Sequence, residues 1–168
     1  VSVQLLDSTV RISTSVRPTS DAEVPIAFGW HPYFAPPGGD RQDWTVCKPF
    51  THHLVLDDHC VPTGEVDRVP VEVDVLGNPD DGGLTFDDLF DEVPVGTTAW
   101  IEGGKHRITL SYDEGYSYAV LFAPPDQPLV AIEPMTAPTD PLAGHFPIKT
   151  AKPGESYTAT YGIHVTES

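Results

Sequence analysis

The chain has 168 residues, enough for one domain with a hydrophobic core of its own. Its 25 acidic and nine basic residues give a formal charge of −16. That balance excludes a phosphate-neutralising nucleic-acid surface and an anionic-membrane surface, and weighs less strongly against a phosphorylated substrate.

Three Trp, six Tyr and seven Phe promise a packed interior, while 18 Pro and 14 Gly promise many turns and few long helices. No apolar run is long enough to cross a bilayer and no secretory leader is legible, so the expected location is the cytoplasm. Cys47 and Cys60 have neither CxxC nor metal-ligand spacing and read as two free thiols. The chain opens at Val1 directly in a strand-like segment, and reads as part of something longer.

In chain order, residues 1–17 alternate as a half-buried strand pair does, with Asp7-Ser8 as the turn between them. Residues 26–34 are apolar and aromatic and end at the breaker Pro36-Pro37-Gly38-Gly39-Asp40. Shorter strands are predicted over 44–48, 52–57, 69–75, 97–102, 106–112, 116–122, 128–133 and 157–165. Glu102-Gly103-Gly104-Lys105 reads as a hairpin turn, and so does Asp113-Glu114-Gly115. No amphipathic helix, internal repeat or dividing linker is visible. The pattern predicts an all-β, twisted antiparallel sandwich occupying residues 1–168 as a single domain.

Three segments carry candidate chemistry. In Phe28-Gly29-Trp30-His31-Pro32-Tyr33-Phe34, strand alternation sets Ala27, Gly29, His31 and Tyr33 on one face and Phe28, Trp30 and Phe34 on the other. The first face puts an imidazole beside two very small residues, which leaves room for a ligand. Pro32 holds His31 extended. In Leu129-Val130-Ala131-Ile132-Glu133-Pro134-Met135, a carboxylate continues an apolar strand. Burial there raises its pKa towards the range of a general base, whereas a strand-end Glu in water would do nothing of the kind. Phe86-Asp87-Asp88-Leu89-Phe90-Asp91-Glu92 reads first as an acidic surface loop pinned by two Phe. Its alternative is that Asp87 accepts hydrogen bonds from sugar hydroxyls. The remaining histidines (His52, His53, His59, His106, His145 and His164) form no cluster at ligand spacing, so no metal is expected.

Taken together and in this order, the segments resemble the aldose 1-epimerase (galactose mutarotase) family. The matching motifs are His31-Pro32-Tyr33-Phe34, then Asp87-Asp88-Leu89-Phe90, then Glu133-Pro134 followed by Thr136-Ala137-Pro138, then Pro153-Gly154-Glu155. Val61-Pro62-Thr63-Gly64 also resembles a loop of that family. The resemblance implies a galactose mutarotase-like supersandwich with a sugar site on its concave face, and a small-molecule sugar as partner. It implies His31 as the acid that protonates the ring oxygen and Glu133 as the base that deprotonates the C1 hydroxyl, on opposite sides of the anomeric centre. Asp87 and Tyr33 then bind substrate, and no cofactor is needed. Family members extend further at the N-terminus, where a His and an Arg also contact sugar, so the pocket of this segment is expected to be incomplete. Two other readings fit the same residues. One is an enzyme for a sugar phosphate, although no Lys or Arg lies in the three motif segments. The other is a non-catalytic carbohydrate-binding sandwich using Trp30, Tyr33 or Trp44 as stacking platforms. The oligomeric state is left open.

Overall fold

The computed structural model describes residues 1–143 and 146–167; of the residues singled out above, His145 lies outside them. The first strands in chain order are β1 (Ser2–Leu6), β2 (Thr9–Val16), β3 (Val24–Ile26), β4 (Tyr33–Phe34) and β5 (Thr45–Lys48). Next come β6 (His52–Leu56), β7 (Pro62–Arg68), β8 (Glu72–Val75), β9 (Phe86–Phe90) and β10 (Thr98–Gly103). The last are β11 (His106–Glu114), β12 (Tyr118–Ala123), β13 (Val130–Met135), β14 (Lys149–Ala151) and β15 (Tyr157–Glu167).

They build a seven-stranded sheet in the order β1-β2-β15-β11-β10-β5-β8 and a six-stranded sheet in the order β4-β13-β12-β9-β6-β7. Strands β3 and β14 form a small ribbon. All pairings are antiparallel, so the predicted sandwich is the observed architecture. One buried apolar cluster joins the sheets: Val46, Ile101 and Leu110 from the larger, Leu121, Val130 and Ile132 from the smaller. Alternation sends the intervening side chains of the smaller sheet to its other face, where Leu54, Leu89 and Tyr118 form a second cluster. That outer face carries the candidate site.

The turns separate into two kinds. Asp7-Ser8 and Gly104-Lys105 close tight hairpins, since Leu6 pairs with Thr9 and Gly103 with His106. Asp7 and Gly104 both have positive φ, as such turns require. Asp113-Glu114-Gly115 is not a hairpin. Strand β11 pairs with β10 and β15 in one sheet, whereas β12 pairs with β9 and β13 in the other. The register of β11 against β15 slips between Tyr112 and Glu114. That bulge, followed by Gly115 at φ +76°, turns the chain across the sandwich. A second correction concerns 86–90. Two Asp disguise it as a loop, but it is β9, an interior strand between β12 and β6. Its Phe86 and Phe90 fill the core between the sheets while Asp87 takes the outer face.

The edge strands of the larger sheet carry exposed apolar side chains, Val3 and Leu5 on β1 and Val73 and Val75 on β8. Trp44, considered above as a stacking platform, is instead buried in the core.

The crossing at Gly115 is sterically closed. A Cβ there would lie 2.4 Å from the Thr158 carbonyl oxygen and 2.7 Å from Ala159 Cα. Gly154 has a similar φ of +83° with open space around it. Gly115→Ala is therefore expected to lose at least about 2 kcal/mol of stability, against about 1 kcal/mol for Gly154→Ala, in urea unfolding at neutral pH.

Candidate active site

Glu133 lies in β13, whose Val130 and Ile132 fill the core. Strand alternation therefore turns its carboxyl to the outer face. Segment 29–34 runs antiparallel beside it. Phe34 pairs with Val130, Tyr33 with Ala131, and Gly29 bridges Met135. The register is the same at both ends, so His31 falls directly opposite Glu133. Only Tyr33–Phe34 form a regular strand, because Pro32 and Pro134 each withdraw a ladder donor. Elsewhere the segment is held by Trp30 N–H donating to the Pro134 carbonyl at 3.1 Å and Thr136 N–H to the Phe28 carbonyl at 2.9 Å. The Thr136 hydroxyl also accepts from Phe28 N–H at 2.9 Å. On the inner side, Trp30 Nε1–H donates to Thr14 Oγ1 at 3.0 Å.

The predicted alternation holds: Ala27, Gly29, His31 and Tyr33 are exposed, whereas Phe28, Trp30 and Phe34 are half-buried or buried. The space expected above Gly29 is taken, however. A Cβ there would meet Met135 Cγ at 2.8 Å and the Pro134 carbonyl oxygen at 3.0 Å. Glycine at this position lets the two segments approach rather than opening a pocket.

The cavity lies further over the sheet, with a volume of about 220 Å³. Its apolar floor is Leu89, Val120 and Phe122, and its polar groups include His31, Glu133 and Asp87. His31 Nε2 and Glu133 Oε1 are 2.9 Å apart. The imidazole is about half exposed, whereas Glu133 retains 8% of its surface. Burial, reinforced by the Asp87 charge, pushes the Glu133 carboxyl up to about 8. At neutral pH that shift favours the protonated carboxyl, which lies in contact with the imidazole.

The two groups are in direct contact rather than facing each other across the cavity.

Asp87 occupies the same face of β9, at the position paired with Phe122, while Leu89 of that strand is level with Val120 and Glu133. It stands two strands across and two residues along from Glu133, about 12 Å at the backbone by strand spacing and rise. Tyr33 is exposed and outside the cavity, its ring centroid 4.5 Å from that of His31. It supports the imidazole rather than facing the cavity. Cys60 and Thr139 also line the cavity and were not singled out as site residues. Nothing in sequence marks Thr139. Cys60 sits beside the family-like Val61-Pro62-Thr63-Gly64, the one signal that could have found it. Both cysteines are free thiols, Cys47 buried and Cys60 exposed.

With this geometry in view, the comparisons with known proteins are decisive for family. The family model described as aldose 1-epimerase matches residues 1–164.

The chain belongs to the aldose 1-epimerase family.

A galactose mutarotase-like protein from Clostridium acetobutylicum superposes with a TM-score of 0.79 at 22% identity, covering 99% of this chain and 55% of that one. A GalM/aldose epimerase homologue from C. elegans gives 0.79 at 16% identity, covering 98% and 58%. Galactose 1-epimerase from Lactobacillus acidophilus NCFM gives 0.70 at 16%, covering 96% and 54%. At these identities the structures establish the shared fold. The chain spans little more than half the length of these relatives. No curated protein sequence matches it.

The buried carboxyl has a thermodynamic signature. Its folded pKa of about 8 lies above the ordinary 4.5, so the native state binds more protons than the unfolded state between those values. The stabilisation is complete below pH 4.5 and is lost as pH climbs through about 8. Each pKa unit is worth about 1.4 kcal/mol, which bounds the loss at a few kcal/mol. Glu133→Gln, which cannot titrate, is expected to flatten the pH dependence of the urea midpoint between pH 5 and 8.

Proposed function

We propose that this site interconverts the α and β anomers of a neutral free aldohexose, such as glucose or galactose, by opening and reclosing the ring. The observation that carries the reading is the 2.9 Å contact between His31 and the nine-tenths-buried Glu133 at one end of a sugar-sized cavity.

The Glu133 carboxyl, raised to about 8, holds a proton at neutral pH. Moving it from Oε1 to Nε2 gives a carboxylate beside an imidazolium, a base and an acid for two oxygens on one carbon. Glu133 takes the proton of the C1 hydroxyl while His31 delivers its proton to the ring oxygen. The C1–O bond to the ring breaks and the C1 carbonyl forms. The pair is left as neutral acid and neutral imidazole, its resting state. Rotation about C1–C2 presents the other face of the aldehyde. Glu133 then returns a proton to the carbonyl oxygen as the ring hydroxyl attacks C1 and gives its proton to His31.

Asp87, across the cavity, accepts from hydroxyls away from C1, and the apolar floor of Leu89, Val120 and Phe122 receives the C–H face of the ring. Among the described residues no Lys or Arg lines the cavity, which favours a neutral sugar over a phosphorylated one.

The test is the optical-rotation change of freshly dissolved α-D-glucose and α-D-galactose, with saturation-transfer NMR between the anomeric protons. His31→Asn and Glu133→Gln are each expected to slow the catalysed exchange by about 10²–10⁴-fold. Sugar binding without any catalysed exchange would replace the enzymatic reading with a carbohydrate-binding one. The pair must also keep its proton. As pH rises through about 8 the carboxyl gives it up and no acid remains. The rate is expected to fall above that pH by about tenfold per pH unit, with no such break in Glu133→Gln.

A further inference from the structure

Turn 57–61 between β6 and β7 reaches over the cavity from the Asp87 side. It is locally determined: Asp57 Oδ1 accepts from the N–H of His59 and of Val61, each at 2.9 Å, and Cys60 N–H donates to the Asp57 carbonyl at 3.0 Å. Cys60 sits at φ +58°, a conformation that a non-glycine residue adopts only when its surroundings impose it. The result is a thiol facing the cavity with Sγ 3.8 Å from Asp87 Oδ2. The Asp87 charge raises the thiol pKa above its usual value, so the sulfur keeps its hydrogen and donates. The same cavity receives the Glu133 carboxyl, which marks the C1 end of the bound ring.

We propose that Cys60 is a specificity-determining residue. Its S–H occupies one acceptor position of Asp87 and forms the wall met by the part of the sugar remote from C1. The inference rests on the anomer-exchange reading and extends it to substrate choice. A thiol suits the position because it is a weak donor, and a sugar hydroxyl displaces it from the carboxylate at small cost. It is also large and polarizable, so it reports on the stereochemistry of the hydroxyl brought against it. Discrimination between glucose and galactose, which differ in the orientation of one such hydroxyl, then depends on what fills position 60.

Two measurements on the intact protein test this. In the first, Cys60→Ala and Cys60→Ser are assayed with both sugars. Cys60→Ala, which removes the competing donor and frees that acceptor position of Asp87, is expected to lower KM by about threefold, no more than the worth of one modest hydrogen bond, and to move KM more than kcat. It should change the glucose-to-galactose ratio of kcat/KM by about threefold or more, while Cys60→Ser, which restores a donor, returns KM towards the native value. In the second, iodoacetamide alkylation of Cys60 is followed by mass spectrometry. The thiolate attacks the CH₂ carbon, iodide leaves, and the thiol proton goes to solvent. A sugar at about ten times its Kd should slow that reaction roughly tenfold, by the factor 1 + [L]/Kd. An unchanged sugar ratio in both variants, with alkylation indifferent to bound sugar, overturns the role of Cys60 while leaving mutarotation intact. Absence of both sugar binding and anomer exchange in the native protein removes the two proposals together.

Discussion

The site depends on the desolvation of one carboxyl. Glu133 belongs to a strand whose neighbouring side chains are buried, and a charged group there lacks the water that would stabilise it. The cost is met by keeping a proton on the carboxyl at neutral pH and by giving it an imidazole at hydrogen-bonding distance. Everything else at the site follows from what that pair requires. His31 needs a backbone held flush against β13, which Gly29 permits and the Trp30 and Thr136 hydrogen bonds maintain. The imidazole stays about half exposed, with the rings of Tyr33 and Phe122 as its other neighbours.

Asp87 has two effects on this arrangement. Its charge opposes ionisation of Glu133 from across the cavity, and its oxygens offer acceptors to hydroxyl donors. A ligand rich in hydroxyls and free of negative charge satisfies Asp87 without adding to the repulsion that Glu133 already meets. An anionic ligand would add to it, and no cationic side chain among the described cavity residues would offset the penalty.

Much of this was legible in the sequence where alternation alone governs. The inward and outward faces of 27–34 and of 130–133 follow from the two-residue period, and tight hairpins announce themselves at Asp7-Ser8 and Gly104-Lys105. The failures arose where long-range pairing overrides local composition. Asp87-Asp88 looks like a solvated loop, yet Phe86, Leu89 and Phe90 have enough apolar surface to hold the segment inside a sheet. Asp113-Glu114-Gly115 has hairpin composition, but which sheet the next strand joins is decided by partners far along the chain. The contact of His31 with Glu133 could not be read either, because it needs the register of 29–34 on β13. Cys60 faces the cavity through a backbone conformation that its residue type does not announce.

The unshifted pairing of 29–34 on β13 bears on how this protein can vary over evolutionary time. Insertions and deletions in the surface turns change only the turns. Deleting Pro32 would rotate the imidazole into the apolar layer and bring the indole of Trp30 out in its place. Any variant that keeps His31 against Glu133 must therefore keep this spacing to the residue.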